Sequence, residues 1–167
     1  MNGMAEHWHP LAESTDAFLR SARRRYVHSV EIPVPAERLW ELLAGDSLVH
    51  CTRVFTGLRW LSPRPFGAGT VREVTLLRVL TVRERFFRWE EGRRFTYSVT
   101  EASLPGLRRA AEDWIVEPAP RGSRLTWILC AEAHPPAAPV LWACGPLTRL
   151  MKSHVMRAIR THAAHGK

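Results

Sequence analysis

Apolar and polar residues alternate at a period of two through much of residues 26–133, and after His134-Pro135-Pro136 the period becomes helical. The first run, residues 26–32, puts Tyr26, His28, Val30 and Ile32 on one face and Val27, Ser29 and Glu31 on the other. Pro33 and Pro35 end it, and Pro35 suits the first turn of a helix. Residues 36–44 read as that helix, with Leu39, Trp40, Leu42 and Leu43 on its apolar side and Gly45 as its stop. A second short helix starts at Asp46. A weak strand at 58–61 leads into a Pro/Gly-rich loop, 62–69. Strands at 70–77 and 79–89 are separated by a tight turn near Arg78, and 93–100 follows the turn Glu90-Glu91-Gly92. Strands 109–117 and 123–133 form a hairpin around Pro120-Arg121-Gly122. Seven strands joined by short turns imply an antiparallel sheet. The last third predicts a helix over 146–162, after a shorter piece broken at Pro139 and Gly145-Pro146. Its apolar stripe is Leu147, Leu150, Met151, His154, Val155 and Ala158, with Arg149, Lys152, Arg157 and Arg160 elsewhere. Residues 1–24 form a leader in which Ser14 or Thr15 caps a short helix reaching about Arg24. The chain thus divides into a leader (1–24), one domain (25–163) and a tail (164–167).

Its 167 residues, 46% hydrophobic and 24% charged, are ordinary for one globular domain. No run of about 18 apolar residues is present, so no membrane-spanning helix is expected. Glu6, His7, His9 and Glu13 stand where a secretory signal is apolar, and Cys51, Cys130 and Cys144 make no C-x-x-C pair. Both features predict a cytoplasmic protein with free thiols, acting as small buried hydrophobes. The formal charge of +8 raises the question of nucleic acid. All but two of the 24 basic residues are arginine, and most alternate with apolar positions, as on the wet face of a sheet or helix. Only Arg23-Arg24-Arg25 is dense, and no zinc-finger or RNA-recognition motif accompanies it, so no specific nucleic-acid partner is expected. An acidic membrane or partner surface is the other reading of the same charge.

Three stretches bring a family into view. Val30-Glu31-Ile32-Pro33-Val34-Pro35-Ala36-Glu37-Arg38-Leu39-Trp40-Glu41-Leu42-Leu43 is similar to the first strand and helix of the START and Bet v 1-like (SRPBCC) superfamily, in its polyketide cyclase/dehydrase branch. Arg83-Glu84-Arg85 leading to Trp89-Glu90-Glu91-Gly92-Arg93-Arg94-Phe95-Thr96-Tyr97 resembles its central hairpin, and Gly122-Ser123-Arg124-Leu125-Thr126-Trp127 its last turn and strand. The resemblance spans about residues 25–163. It implies an α+β helix-grip fold: a curved seven-stranded antiparallel sheet around a long C-terminal helix, with two short helices after the first strand. It also implies a mostly apolar cavity between sheet and helix, where members bind lipids, sterols or polyketides. Aromatase/cyclases of the superfamily use a serine and an arginine two apart on a cavity strand. The comparable strand here, Val82-Arg83-Glu84-Arg85-Phe86, lacks that pair.

Alternation without a bulge turns these residues inward: Tyr26, His28, Val30; Arg72, Val74, Leu76; Val82, Glu84, Phe86; Phe95, Tyr97, Val99; Glu112, Trp114, Val116; and Leu125, Trp127, Leu129. The long helix adds Leu147, Met151 and His154. A turn centred on Arg78 sets Arg72 opposite Glu84. That pair either meets a polar ligand group or neutralises itself at the wall. His28 and His154 are proton shuttles or hydrogen-bonded rim residues. Glu112 is a second interior carboxylate or a residue at the mouth. Trp114 and Trp127 are core or a stacking wall for a flat ligand.

Two functions fit. In the first, the protein binds a hydrophobic small molecule, with Tyr26, His28, Phe86, Tyr97, Glu112, Trp114, Trp127, Leu147 and Met151 as its contacts. In the second it is a cyclase or dehydratase in which Glu84 or His154 moves the proton and Arg72 or a tyrosine holds the oxyanion. A basic nucleic-acid or membrane-surface module is a third class, marked by steep salt dependence. No metal-ligand spacing and no cofactor motif is present, so neither is expected, and the chain is read as a monomer or homodimer.

Overall fold

The structure is a computed structural model that describes residues 7–165; the first six leader residues and the last two of the tail lie outside it. Its strands are β1 (His9–Pro10), β2 (Arg25–Ile32), β3 (Phe55–Trp60), β4 (Val71–Leu76), β5 (Leu80–Glu90), β6 (Arg94–Ala102), β7 (Leu107–Ala119) and β8 (Gly122–Ala133). Its helices are α1 (Asp16–Ser21), α2 (Ala36–Ala44), α3 (Leu48–Cys51), α4 (Ala138–Ala143) and α5 (Gly145–His165), with a 3₁₀ turn, Pro135–Ala137, before α4. Among the described residues no helix is long and apolar enough to cross a membrane.

Seven strands form one curled antiparallel sheet in the order β2-β8-β7-β6-β5-β4-β3. Helices α2 and α3 carry the chain from one edge strand to the other, and α5 closes the concave side, so the fold is the helix grip that the sequence implied. The β4–β5 turn places Leu77 and Arg78 at φ 52° and 59°, the left-handed region that a tight hairpin turn requires. This turn fixes the pairing of Arg72 with Glu84. At the β7–β8 turn, Gly122 has φ 134° and a Cβ there would stand 2.3 Å from the Ile32 carbonyl, so the turn can press against the end of β2 only as glycine. Several surface arginines meet carboxylates: Arg59 and Arg83 share Glu73, and Arg94 forks onto Asp113.

The leader does more than the sequence suggested. Beyond Ser98, β6 and β7 are no longer paired, and residues 9–12 fill the gap. His9 and Pro10 pair with Ala102 and Glu101, Leu11 donates to Thr100 O, and Ala12 donates to Arg108 O. Ser14 caps no helix; it is buried, its N–H donating to Ser98 Oγ and its hydroxyl to Ala110 O. α1 stops at Ser21, short of Arg24, and packs Phe18 and Leu19 on the convex face against Ala111 and Cys130.

The α5 stripe is the main correction. Val155, Met156, Ile159 and Ala163 face the core together with Lys152. Leu147 and Leu150 are 65% and 62% exposed, and His154 is exposed too. The helix carries two candidate apolar stripes about a third of a turn apart. The inward one is chosen because its β-branched and slender side chains pack on the sheet and because the Lys152 ammonium finds acceptors there. Ile159→Ala should therefore cost about 2–5 kcal/mol in urea unfolding, while Leu147→Ala stays within about 0.5 kcal/mol; equal costs would refute this placement.

Candidate functional site

Register brings Arg72 (β4) and Glu84 (β5) face to face on the concave side, Nε to Oε2 at 2.6 Å. Arg72 is 1% exposed. Its guanidinium carbon lies 5.0–5.8 Å from the ring centres of Phe86, Tyr97, Trp60 and Phe95, within reach of cation–π attraction. Its Nη1 is buried and has no hydrogen-bond partner. Burial pushes the Glu84 carboxyl up to about 7; Arg72 opposes the rise and the charge of Glu112 adds to it. Burial also works against the charge on Arg72, but Glu84, Tyr97 and Glu112 outweigh it and hold the guanidinium protonated.

A second knot lies one strand further. Glu112 (β7) stands opposite Tyr97 (β6), and two residues on, Trp114 stands opposite Trp127 (β8). Glu112 Oε2 accepts from Tyr97 Oη at 2.6 Å, Trp127 Nε1 at 2.7 Å and Trp114 Nε1 at 3.0 Å. The indoles stack with centroids 4.5 Å apart. Burial, reinforced by the two carboxylates, raises the Tyr97 hydroxyl well above its ordinary value, so it stays a donor. Glu112 itself is half-buried, and no described residue donates to its other oxygen.

The sequence reading missed Lys152, which enters from α5 beneath this knot. It is 1% exposed, donates to Tyr26 O at 2.8 Å and Trp127 O at 2.9 Å, and lies 4.5 Å from the centre of the Trp127 ring. Burial pushes its ammonium down to about 8, against the pull of Glu112. One signal for it was present: in a chain with one other lysine among its 24 basic residues, a slim lysine interrupts an amphipathic helix.

The other expected residues divide into two groups. Phe86, Tyr97, Trp114 and Trp127 come together with Arg72 and Glu84, all buried by one another. These aromatic and charged side chains occupy the region where the resemblance implied a mostly apolar cavity. Tyr26, His28 and Met151 are half-buried, and the His28 imidazole is held below its usual range by burial and then by Lys152 and Arg157. Leu147 and His154 lie outside the site. His154 lines a groove of about 790 Å³ with Cys51, Arg53 and His162 between α3 and α5, because its side of α5 faces away from the sheet. Of the cysteines expected to be buried, only Cys130 is, while Cys51 and Cys144 are half-buried; burial pushes the thiols of Cys51 and Cys130 up to about 11, away from the reactive thiolate. Among the described residues no group of three or more His, Cys, Asp or Glu could hold a metal ion.

Chemically, the concave face presents two cations and two carboxylates in an aromatic setting. Glu84 can take or release a proton near neutral pH, Arg72 can donate to an oxygen, and the free edge of Glu112 can accept.

Comparisons with known proteins agree with this architecture. The family described as polyketide cyclase / dehydrase and lipid transport matches residues 23–164. An uncharacterized protein of Mycobacterium tuberculosis (strain ATCC 25618 / H37Rv) is 32% identical over 147 residues, 87% of this chain and 88% of its own. A START superfamily protein from Mycobacterium smegmatis superposes with a TM-score of 0.71 at 12% identity over 86% of this chain and 99% of its own. Ara h 8.0201 superposes with a TM-score of 0.62 at 15% identity over 84% and 97%. The chain belongs to the polyketide cyclase / dehydrase and lipid transport family, and it shares its fold with START superfamily and Bet v 1-like proteins.

Proposed function

We propose that this protein binds a hydrophobic small molecule, lipid- or polyketide-like, between the concave sheet and α5, with an oxygen of the ligand turned to Arg72. The observation that carries this reading is the buried Nη1 of Arg72, which has no partner. An unmatched buried donor costs about 1–3 kcal/mol, which a ligand oxygen would recover. Phe86, Tyr97, Trp114 and Trp127 form the aromatic wall, and the half-buried Tyr26, His28, Met151 and Glu112 form the rim. Entry requires α5 to part from the sheet. The family's description, which includes lipid transport, supports this class of ligand.

Native mass spectrometry of the full chain with a panel of hydrophobic carboxylic acids, phenols and β-diketones tests the reading. The expected result is a one-to-one adduct that Arg72→Met weakens by about tenfold or more. No adduct across the panel, or an adduct indifferent to Arg72→Met, overturns it.

A second reading, a cyclase or dehydratase, is favoured by the carboxyl of Glu84, which exchanges its proton near pH 7. Glu84 would take a proton from the carbon beside a carbonyl and pass it to the departing hydroxyl, which leaves as water, while Arg72 holds the oxyanion. A bound β-hydroxyketone recovered lighter by one water would support catalysis; recovery unchanged leaves binding alone.

The Glu84 proton has its own signature. The folded chain keeps it to about pH 7, whereas the unfolded chain releases it near 4.5. Its contribution is therefore complete below pH 4.5 and is lost as pH rises to 7. Relative to Glu84→Gln, the wild-type unfolding free energy should fall by up to about 3 kcal/mol over that interval. Urea unfolding at stepped pH measures this, and a constant difference would show that Glu84 does not titrate there.

A further inference from the structure

Four of the nine large apolar side chains exposed by the described residues fall within α4 and the first turns of α5: Val140 65%, Trp142 71%, Leu147 65% and Leu150 62%. α4 and α5 are separate helices that meet at Cys144-Gly145-Pro146, where the N–H groups of Cys144 and Thr148 donate to Val140 O and Cys144 O. On α5, Leu147 and Leu150 stand at i and i+3 on one stripe, and Val140 is exposed on α4 just before it. Trp142 lines a groove of about 800 Å³ with Phe18, Arg23, Arg24, Arg108, Arg109 and Glu132.

The groove is strongly cationic. Glu132 pairs with Arg108 at 3.2 Å. Among the described residues no carboxylate pairs with Arg23, Arg24, Arg109 or Arg149. Arg109 lies 5.0 Å from the Phe18 ring centre, and its buried Nε has no partner.

We propose that this end of the molecule docks on an anionic phospholipid bilayer. Val140, Trp142, Leu147 and Leu150 enter the boundary between headgroups and acyl chains, and the unpaired arginines meet lipid phosphates. Tryptophan is suited to that boundary by its amphipathic ring. Apolar side chains over a basic surround are the pattern of interfacial helices. Charge selects the occupant: a second copy of this chain, itself formally +8, would set arginine against arginine, whereas a phosphate surface neutralises them. None of the residues used here belongs to the concave site, so this docking stands or falls separately from ligand binding.

Co-sedimentation of the full chain with vesicles tests it, using equal parts phosphatidylglycerol and phosphatidylcholine against phosphatidylcholine alone. Binding is expected to the anionic vesicles, about tenfold or more weaker to the neutral ones, and to weaken as salt rises. The double variant Leu147→Glu/Leu150→Glu should melt as the wild type does and bind about tenfold or more weakly. Arg23→Gln/Arg24→Gln should lose several-fold. No binding to anionic vesicles overturns the proposal. So does equal binding by the leucine variant, which would mean adsorption by charge alone. A concentration-dependent dimer that the leucine variant dissolves would also overturn it, assigning the stripe to a second copy.

Discussion

A guanidinium enclosed by aromatic rings must be answered by a carboxylate, and the β4–β5 hairpin is where this happens. Arg72 and Glu84 can meet only if the turn holds Leu77 and Arg78 in the left-handed region, because a one-residue slip would turn both side chains to the convex face. The pair then conditions its neighbours. With Glu84 occupied by Arg72, the second carboxylate, Glu112, has to be satisfied separately. The three donors of Tyr97, Trp114 and Trp127 do so from adjoining positions. Lys152 completes a formally neutral set of two cations and two anions. Replacing such a set by hydrocarbon would commonly leave a fold as stable or more so. Its presence in the grip is therefore an argument for chemistry rather than for cohesion.

How far the sequence revealed this follows from the period of each element. Strand alternation has only two outcomes, and the boundaries were marked by turns, so Arg72 opposite Glu84 and Trp114 opposite Trp127 were readable in advance. The order of strands and helices carried the family for the same reason. A helix offers many faces, and on α5 the stripe read through Leu147, Leu150, Met151 and Val155 competed with the one that faces the core, through Val155, Met156, Ile159 and Ala163. A lysine at an inward position is legible only once the carbonyls that receive it are in place. The shared acceptor role of Glu112 likewise depends on three strands at once, and the two-residue β1 is too short to leave a pattern.

The buried interior and the exposed apex divide the molecule's labour. Selectivity for a ligand would reside where the charges are matched and dry. Any encounter with a lipid surface would occur at the groove that Trp142 lines and along the outward stripe, where arginines stand without partners. The two regions are joined through α5, whose early turns carry the stripe and whose Lys152 reaches the concave face. Placing both on one rigid rod means that a displacement of the helix from the sheet would be felt at each.

The wedge of residues 9–12 between β6 and β7 has a consequence for assembly. Ser14 takes partners 84 and 96 positions along the chain, so this wedge can seat only after the sheet exists, making it a late closure in folding. Were it withdrawn, the bared strand margins would offer ready hydrogen-bonding rows to the same segment of another molecule. The N-terminal strip thus covers strand margins that would otherwise stand open to exchange between copies.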